Sequence, residues 1–116
     1  MKKILIAEDN DSNYILMTYI LKNHYEFVRA RDGQQAVDMV ETESPDMILM
    51  DLKMPVLGGL DATRVIRRSH PDIPIIALTA NAFDTDREEA MAAGCTDFLS
   101  KPVSTQKCLE TIAKYL

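Results

Sequence analysis

Ile48-Leu49-Met50-Asp51 is an apolar run closed by a carboxylate, and a second run, Ile4-Leu5-Ile6-Ala7, ends likewise in Glu8 and Asp9. Continuous Ile, Leu and Met over this length suits a strand buried on both faces of a parallel sheet. As neighbouring parallel strands, the two runs bring their three acids together at the carboxyl edge of the sheet, where α/β proteins build their sites. Two further runs end in Thr79 and, just beyond Phe98-Leu99-Ser100, in Lys101. Acids, a hydroxyl and a lysine on one edge point to a divalent cation and a phosphoryl group.

Outward from these runs, short β-like segments alternate with helical patterns along the whole chain. The predicted strands are Lys3–Ala7, Glu26–Ala30, Met47–Met50, Ile75–Leu78 and Asp97–Leu99. Between Asn13 and Leu21, the residues Ile15, Leu16, Tyr19 and Ile20 form one apolar helix face. Cys108, Leu109, Ile112, Ala113 and Leu116 repeat the pattern at the end. Asp32 with Gln35 and Thr85 with Glu88 read as capping boxes opening the second and fourth helices. Gly94 reads as a left-handed cap, and Ser69-His70-Pro71 as the stop of the third helix. The fourth helix is expected to be the least firmly packed. Five β/α units with right-handed crossovers give an α/β three-layer sandwich, helices covering both faces of a parallel sheet. In the flavodoxin-like order 2-1-3-4-5 the ligand crevice lies between the first and third strands. Those are the strands that end in Glu8-Asp9 and Asp51.

Bulk properties agree. Residues 1–116 read as one domain, long enough to bury a core. At 47% hydrophobic and 27% charged residues the composition is that of a globular protein. A net charge of −5 argues against nucleic acid as a direct ligand. No apolar stretch is long enough for membrane insertion, and only four apolar residues separate Lys3 from Glu8, too few for a signal-peptide core. Cys95 and Cys108 lack metal-ligand spacing and read as reduced thiols, so a cytoplasmic location is expected.

Crowded carboxylates repel unless a cation lies among them, and an oxygen-only set suits Mg²⁺. Asp51 then has the placement of a nucleophile that forms an aspartyl phosphate. Lys101 would neutralise one phosphoryl oxygen and Thr79 donate a hydrogen bond to another. Taken singly, each residue has an ordinary structural explanation. Asp51 suits a turn or helix cap, Glu8-Asp9-Asn10 a capped helix start, Lys101 a solvated loop and Thr79 a strand end. Their joint occurrence at four strand ends is what favours chemistry. His24 and His70 fall near helix C-termini, where a surface histidine is favoured by the dipole.

These residues resemble the receiver domain of two-component response regulators over the whole chain. The matching segments are Ile4–Asn13 (ILIAEDNDSN), Met50–Arg67 (MDLKMPVLGGLDATRVIR), Ala77–Phe83 (ALTANAF) and Phe98–Val103 (FLSKPV). The first and third look especially like receivers of hybrid sensor histidine kinases. The resemblance implies that Asp51 accepts a phosphoryl group from a histidine kinase or a histidine phosphotransfer domain, passing a signal to an output protein or domain. It implies Mg²⁺ held by Asp9, by Glu8 through water, by Asp51 and by the Lys53 carbonyl. It further implies Thr79 as the switch hydroxyl, Phe98 as the switch aromatic, and Lys101 as the phosphate partner. Pro102 would follow a cis peptide bond. The face built from the fourth helix, fifth strand and fifth helix would change its partner preference, and Lys53 and Asn81 would tune acyl-phosphate lifetime. Such a domain catalyses only its own phosphorylation and dephosphorylation and is otherwise no enzyme. Departures from the common pattern are Glu8 for aspartate, Gly58 for a capping aspartate, and Phe98 without a tyrosine hydroxyl.

Three rivals share parts of this pattern. A haloacid dehalogenase-like phosphatase needs a second acid two residues after its nucleophile, where Lys53 stands. A flavin module needs a phosphate loop free of acids, whereas Glu8-Asp9-Asn10-Asp11 follows the first strand. A docking module without phosphoacceptor chemistry shares the fold, and Mg²⁺ affinity separates it from a working receiver.

Overall fold

The computed structural model describes residues 1–80 and 84–116. The apolar runs form strands and the amphipathic segments helices, in strict alternation. They are β1 (Lys3–Ala7), α1 (Asp11–Leu21), β2 (Glu26–Ala30), α2 (Gly33–Glu43), β3 (Met47–Asp51), α3 (Gly59–Ser69), β4 (Ile75–Thr79), α4 (Asp84–Ala93), β5 (Asp97–Ser100) and α5 (Thr105–Tyr115). The strands make one parallel sheet in the order β2-β1-β3-β4-β5, as expected. The third, fourth and fifth strands each run one residue further than predicted. Asp51 still pairs with Leu78, and Thr79 with Ser100, so the polar residues closing the runs belong to the sheet.

Two apolar layers flank the sheet. Ile4, Ile6, Leu49, Ile76 and Leu78 face α1 and α5; Leu5, Ile48, Met50 and Ile75 face α2, α3 and α4. Strands apolar on both faces carry no alternation that could fix their register. Their polar ends fix it instead. A one-residue slip would draw Glu8 or Asp51 into hydrocarbon, where an ionised carboxylate is far costlier than a misplaced methylene. At the amino edge, Asp46 Oδ2 accepts from the Lys3 amide at 2.8 Å, and Thr96 Oγ1 accepts from the Ile75 amide at 3.0 Å.

Several local expectations are met and others corrected. Asp32 caps α2, accepting from the Gln35 amide at 2.7 Å. Gln35 reaches back one residue further than a capping box, to the Arg31 amide. Gly94 ends α4 in the left-handed region at φ 110°. Thr85 lies inside α4 rather than before it. Among the described side chains of that helix, the buried ones are the small Ala90 and Ala93. Of the apolar face read for α1, Ile20 packs and the rest does not. Ile15, Leu16 and Tyr19 are exposed, and the core takes Met17, Ile20 and Leu21. In α5, Ala113 is likewise exposed while Thr111 is buried. Asn81 lies outside the described residues. Among them, no helix is long and apolar enough to cross a membrane.

The turn from β3 into α3 holds the acid edge in place through adjacent glycines. Gly59 lies against the end of β3: a Cβ there would collide with the Asp51 carbonyl oxygen and lie 2.8 Å from Leu52 Cα. Gly58 is the N-cap and provides no side-chain cap, and a Cβ there would meet the Leu52 carbonyl oxygen at 3.6 Å, an ordinary contact. Urea unfolding should therefore separate the two positions. Gly59→Ala should cost on the order of 1–3 kcal/mol as an overpacked site, whereas Gly58→Asp should stabilise by a few tenths of a kcal/mol. Equal effects of the two substitutions would contradict this reading of the turn.

Candidate functional site

Parallel pairing of β1 with β3, Ala7 opposite Met50, makes both strands run out toward the same edge. Glu8 and Asp51 emerge there side by side, Glu8 fully buried and Asp51 6% exposed. Asp9, the next residue, is exposed. Carboxylate oxygens of Glu8, Asp9 and Asp51 lie within 4.8 Å of one another. β5 brings the lysine. Ser100 pairs with Thr79, the Lys101 amide donates to the Thr79 carbonyl at 2.7 Å, and the side chain turns toward the acids. Its Nζ lies 3.0 Å from Glu8 Oε1 and 3.1 Å from Asp51 Oδ2. The Lys53 amide donates to Asp51 Oδ1 at 3.2 Å, which orients the carboxylate and leaves its other oxygen with the ammonium.

One ammonium cannot balance three carboxylates, and the deepest acid bears the cost. Burial pushes the Glu8 carboxyl up to about 7; neighbouring Asp51 adds to the rise and Lys101 opposes it. Burial also disfavours the Lys101 ammonium, but its pairing with Glu8 and Asp51 outweighs this and raises its pKa. The donor set is all oxygen and net negative, which fits a hard divalent cation and not a soft one. A cleft of about 200 Å³ opens beside these groups, bordered by Asp51, Lys53, Thr79 and Lys101. Larger clefts open at the amino edge, where His70 Nε2 meets Glu41 Oε1 at 2.6 Å. Among the described residues, two carboxylates meet one lysine ammonium only at the carboxyl edge.

The remaining predicted residues lie close by. Thr79 is buried at the end of β4, between Asp51 and Ser100 in the sheet order. Phe98 is half-buried on β5 opposite Ala77, its ring 5.3 Å from the Arg87 guanidinium of α4. The Lys101–Pro102 peptide is cis. Asp86 and Glu89 of α4 also border the cleft, and Arg29 donates from β2 to the Glu8 carbonyl. Sequence reasoning missed these three. Asp86 and Glu89 sit in a run of charges that reads as a solvated helix face, and Arg29 is one arginine in an edge strand.

The sequence pattern of the response regulator receiver domain matches residues 4–113. The polar-differentiation response regulator DivK of Brucella ovis is 37% identical, covering 99% of this chain and 96% of its own. Among solved structures, the receiver domain of sensor histidine kinase PA1611 from Pseudomonas aeruginosa, with magnesium in its active site cleft, is similar. It is 39% identical with a TM-score of 0.91, over 98% of this chain and 96% of that one. The receiver domain of Saccharomyces cerevisiae Ssk1, crystallised with the histidine phosphotransfer protein Ypd1, gives 31% identity and a TM-score of 0.92, over 98% and 88% of the two chains.

The buried acid has a pH consequence that can be measured without a ligand. Folding raises the Glu8 pKa from its ordinary 4.5 to about 7, so the folded state holds this proton more tightly. Its stabilising contribution is complete below 4.5 and is lost as pH rises through about 7. In EDTA-containing buffer, the urea midpoint should fall between about pH 5 and about pH 8, and Glu8→Gln should flatten that fall. Parallel pH profiles for the two proteins would contradict the assignment.

Proposed function

The chain belongs to the response regulator receiver domain family, and from that premise we propose that it is a phosphoacceptor in a two-component phosphorelay. Asp51 receives the phosphoryl group, from a histidine kinase or a histidine phosphotransfer protein. The observation that carries this reading is the Lys101 ammonium bridging Glu8 and Asp51 at 3.0 and 3.1 Å, beside an open cleft. A docking module has no use for a buried acid pair held on a lysine, so the intact pocket supports transfer over docking alone.

The chemistry asks little of the protein beyond position and charge. An Asp51 carboxylate oxygen forms a bond to phosphorus as the phosphorus–nitrogen bond to the donor imidazole breaks, and the imidazole keeps the electron pair. The Lys53 amide at 3.2 Å fixes one oxygen of Asp51, which leaves the other to attack. Lys101 then pairs with the transferred phosphoryl group, and the Thr79 hydroxyl donates to another of its oxygens. Asp9, Asp51 and the Lys53 carbonyl would hold Mg²⁺, with Glu8 acting through water. Bound there, the ion supplies positive charge that lowers the repulsion between carboxylate and phosphoryl group.

Signalling would follow from the same edge. Charge added at Asp51 draws Thr79 toward it, Phe98 repacks into the vacated space, and the face of α4, β5 and α5 changes its partner preference. Phe98 has no hydroxyl, so this step is packing alone. Arg87 over its ring ties that packing to α4. Lys53 and Asn81 would tune the lifetime of the acyl phosphate. The likeness to a sensor-kinase receiver and to a receiver crystallised with a phosphotransfer protein supports this relay setting. Two buried free thiols suit the cytoplasm.

Intact-mass analysis after incubation with acetyl phosphate and Mg²⁺ tests the reading. The chain should gain one hydroxylamine-labile phosphoryl group, abolished by EDTA and in Asp51→Asn. Full labelling of Asp51→Asn would remove Asp51 from its role.

A further inference from the structure

Arg29 lies one residue before the end of β2, and its side chain is 12% exposed. Three groups hold it. Its Nε donates to the Glu8 carbonyl at 3.1 Å, and its Nη1 pairs with Asp11 Oδ1 at 2.9 Å. Its guanidinium lies 4.3 Å from the Tyr14 ring centroid. Its Nη2 is buried with no hydrogen-bond partner. An orphaned buried donor is a cost that a solvated arginine would avoid, so the remaining contacts must hold the group in place.

What those contacts hold is the peptide between the two acids. Register pairing of β1 with β2 ends at Ala7–Ala30, and the Glu8 amide still donates to the Ala30 carbonyl at 3.0 Å. Arg29 takes up the carbonyl of the same residue, so β2 grips Glu8 from both sides. That carbonyl belongs to the Glu8–Asp9 peptide, whose plane sets the directions in which both side chains leave the backbone. We infer that Arg29 is a positioning residue, holding the Glu8–Asp9 peptide so that both carboxylates converge on the cation site. This rests on the phosphoacceptor reading above and extends it to a residue outside the pocket.

Charge and position make opposite predictions here. As a bare cation, Arg29 repels a divalent ion at the acids, and its removal should tighten binding. As a holder of the peptide, its removal should weaken binding. A merely structural role, docking α1 onto β2 through Asp11 and Tyr14, would lower stability and leave ion affinity alone.

Calorimetric titration of MgCl₂ into the unaltered chain, Arg29→Met and Arg29→Lys, with urea unfolding of each, tests this. Arg29→Met keeps an apolar stem against Tyr14 and should raise the Kd about tenfold, the low end for groups that support metal ligands. Arg29→Lys keeps the charge but not the fork that serves Glu8 and Asp11 together, so it should fall between, at about threefold. An unchanged or tighter Kd in Arg29→Met overturns the inference, whatever its stability. If that variant does not fold, Arg29→Lys decides, and a Kd equal to that of the unaltered chain overturns it. Loss of binding in the unaltered chain itself would overturn the phosphoacceptor reading, and this inference with it.

Discussion

Mutual repulsion of carboxylates governs this molecule. Glu8, Asp9 and Asp51 are held with oxygens within 4.8 Å, a spacing at which each pair costs about 1 kcal/mol in water and roughly fourfold more near a protein surface. The sheet enforces that closeness because β1 and β3 are neighbours whose interiors are wholly apolar. Moving either acid inward would cost more than keeping them together. Lys101 arrives from 93 residues along the chain to bridge two of them. The bridge is incomplete in charge, so the edge remains a place where further positive charge is stabilised. Core, register and site chemistry thus share one cause.

Much of this is written locally in the sequence. The strands are legible because Ile4–Ala7 and Ile48–Met50 are apolar without alternation, and their carboxyl ends are legible because acids stop the runs abruptly. Parallel order follows from the β/α alternation, and with it the meeting of Glu8, Asp9 and Asp51. The packing face of α1 is not legible in the same way. Tyr14, Ile15, Leu16, Met17, Tyr19, Ile20 and Leu21 are apolar nearly all round the helix, so periodicity cannot choose between stripes. The sheet chooses, taking Met17, Ile20 and Leu21.

Contacts made by long polar side chains across elements were equally hidden. Arg29 reaching Glu8, Arg87 covering Phe98, and Asp86 and Glu89 bordering the cleft depend on three-dimensional register, which residue type does not encode. The strand-end residues describe a pocket that the fold can build from many sequences. Arg29 and the acidic face of α4 describe how this sequence supports and borders it. Helix α4 borders the cleft through Asp86 and Glu89 and covers Phe98 through Arg87, and among its described side chains the buried ones are Ala90 and Ala93.

As proposed, phosphoryl transfer ends on Asp51 alone of the three carboxylates. Borohydride reduction of the freshly phosphorylated chain, followed by proteolysis and tandem mass spectrometry, reads this directly, because reduction of an aspartyl phosphate leaves homoserine at the labelled position. Homoserine is expected at position 51, with Glu8 and Asp9 unchanged. Reduction at position 8 or 9, or a phosphoryl group recovered on His24 or His70, would contradict it.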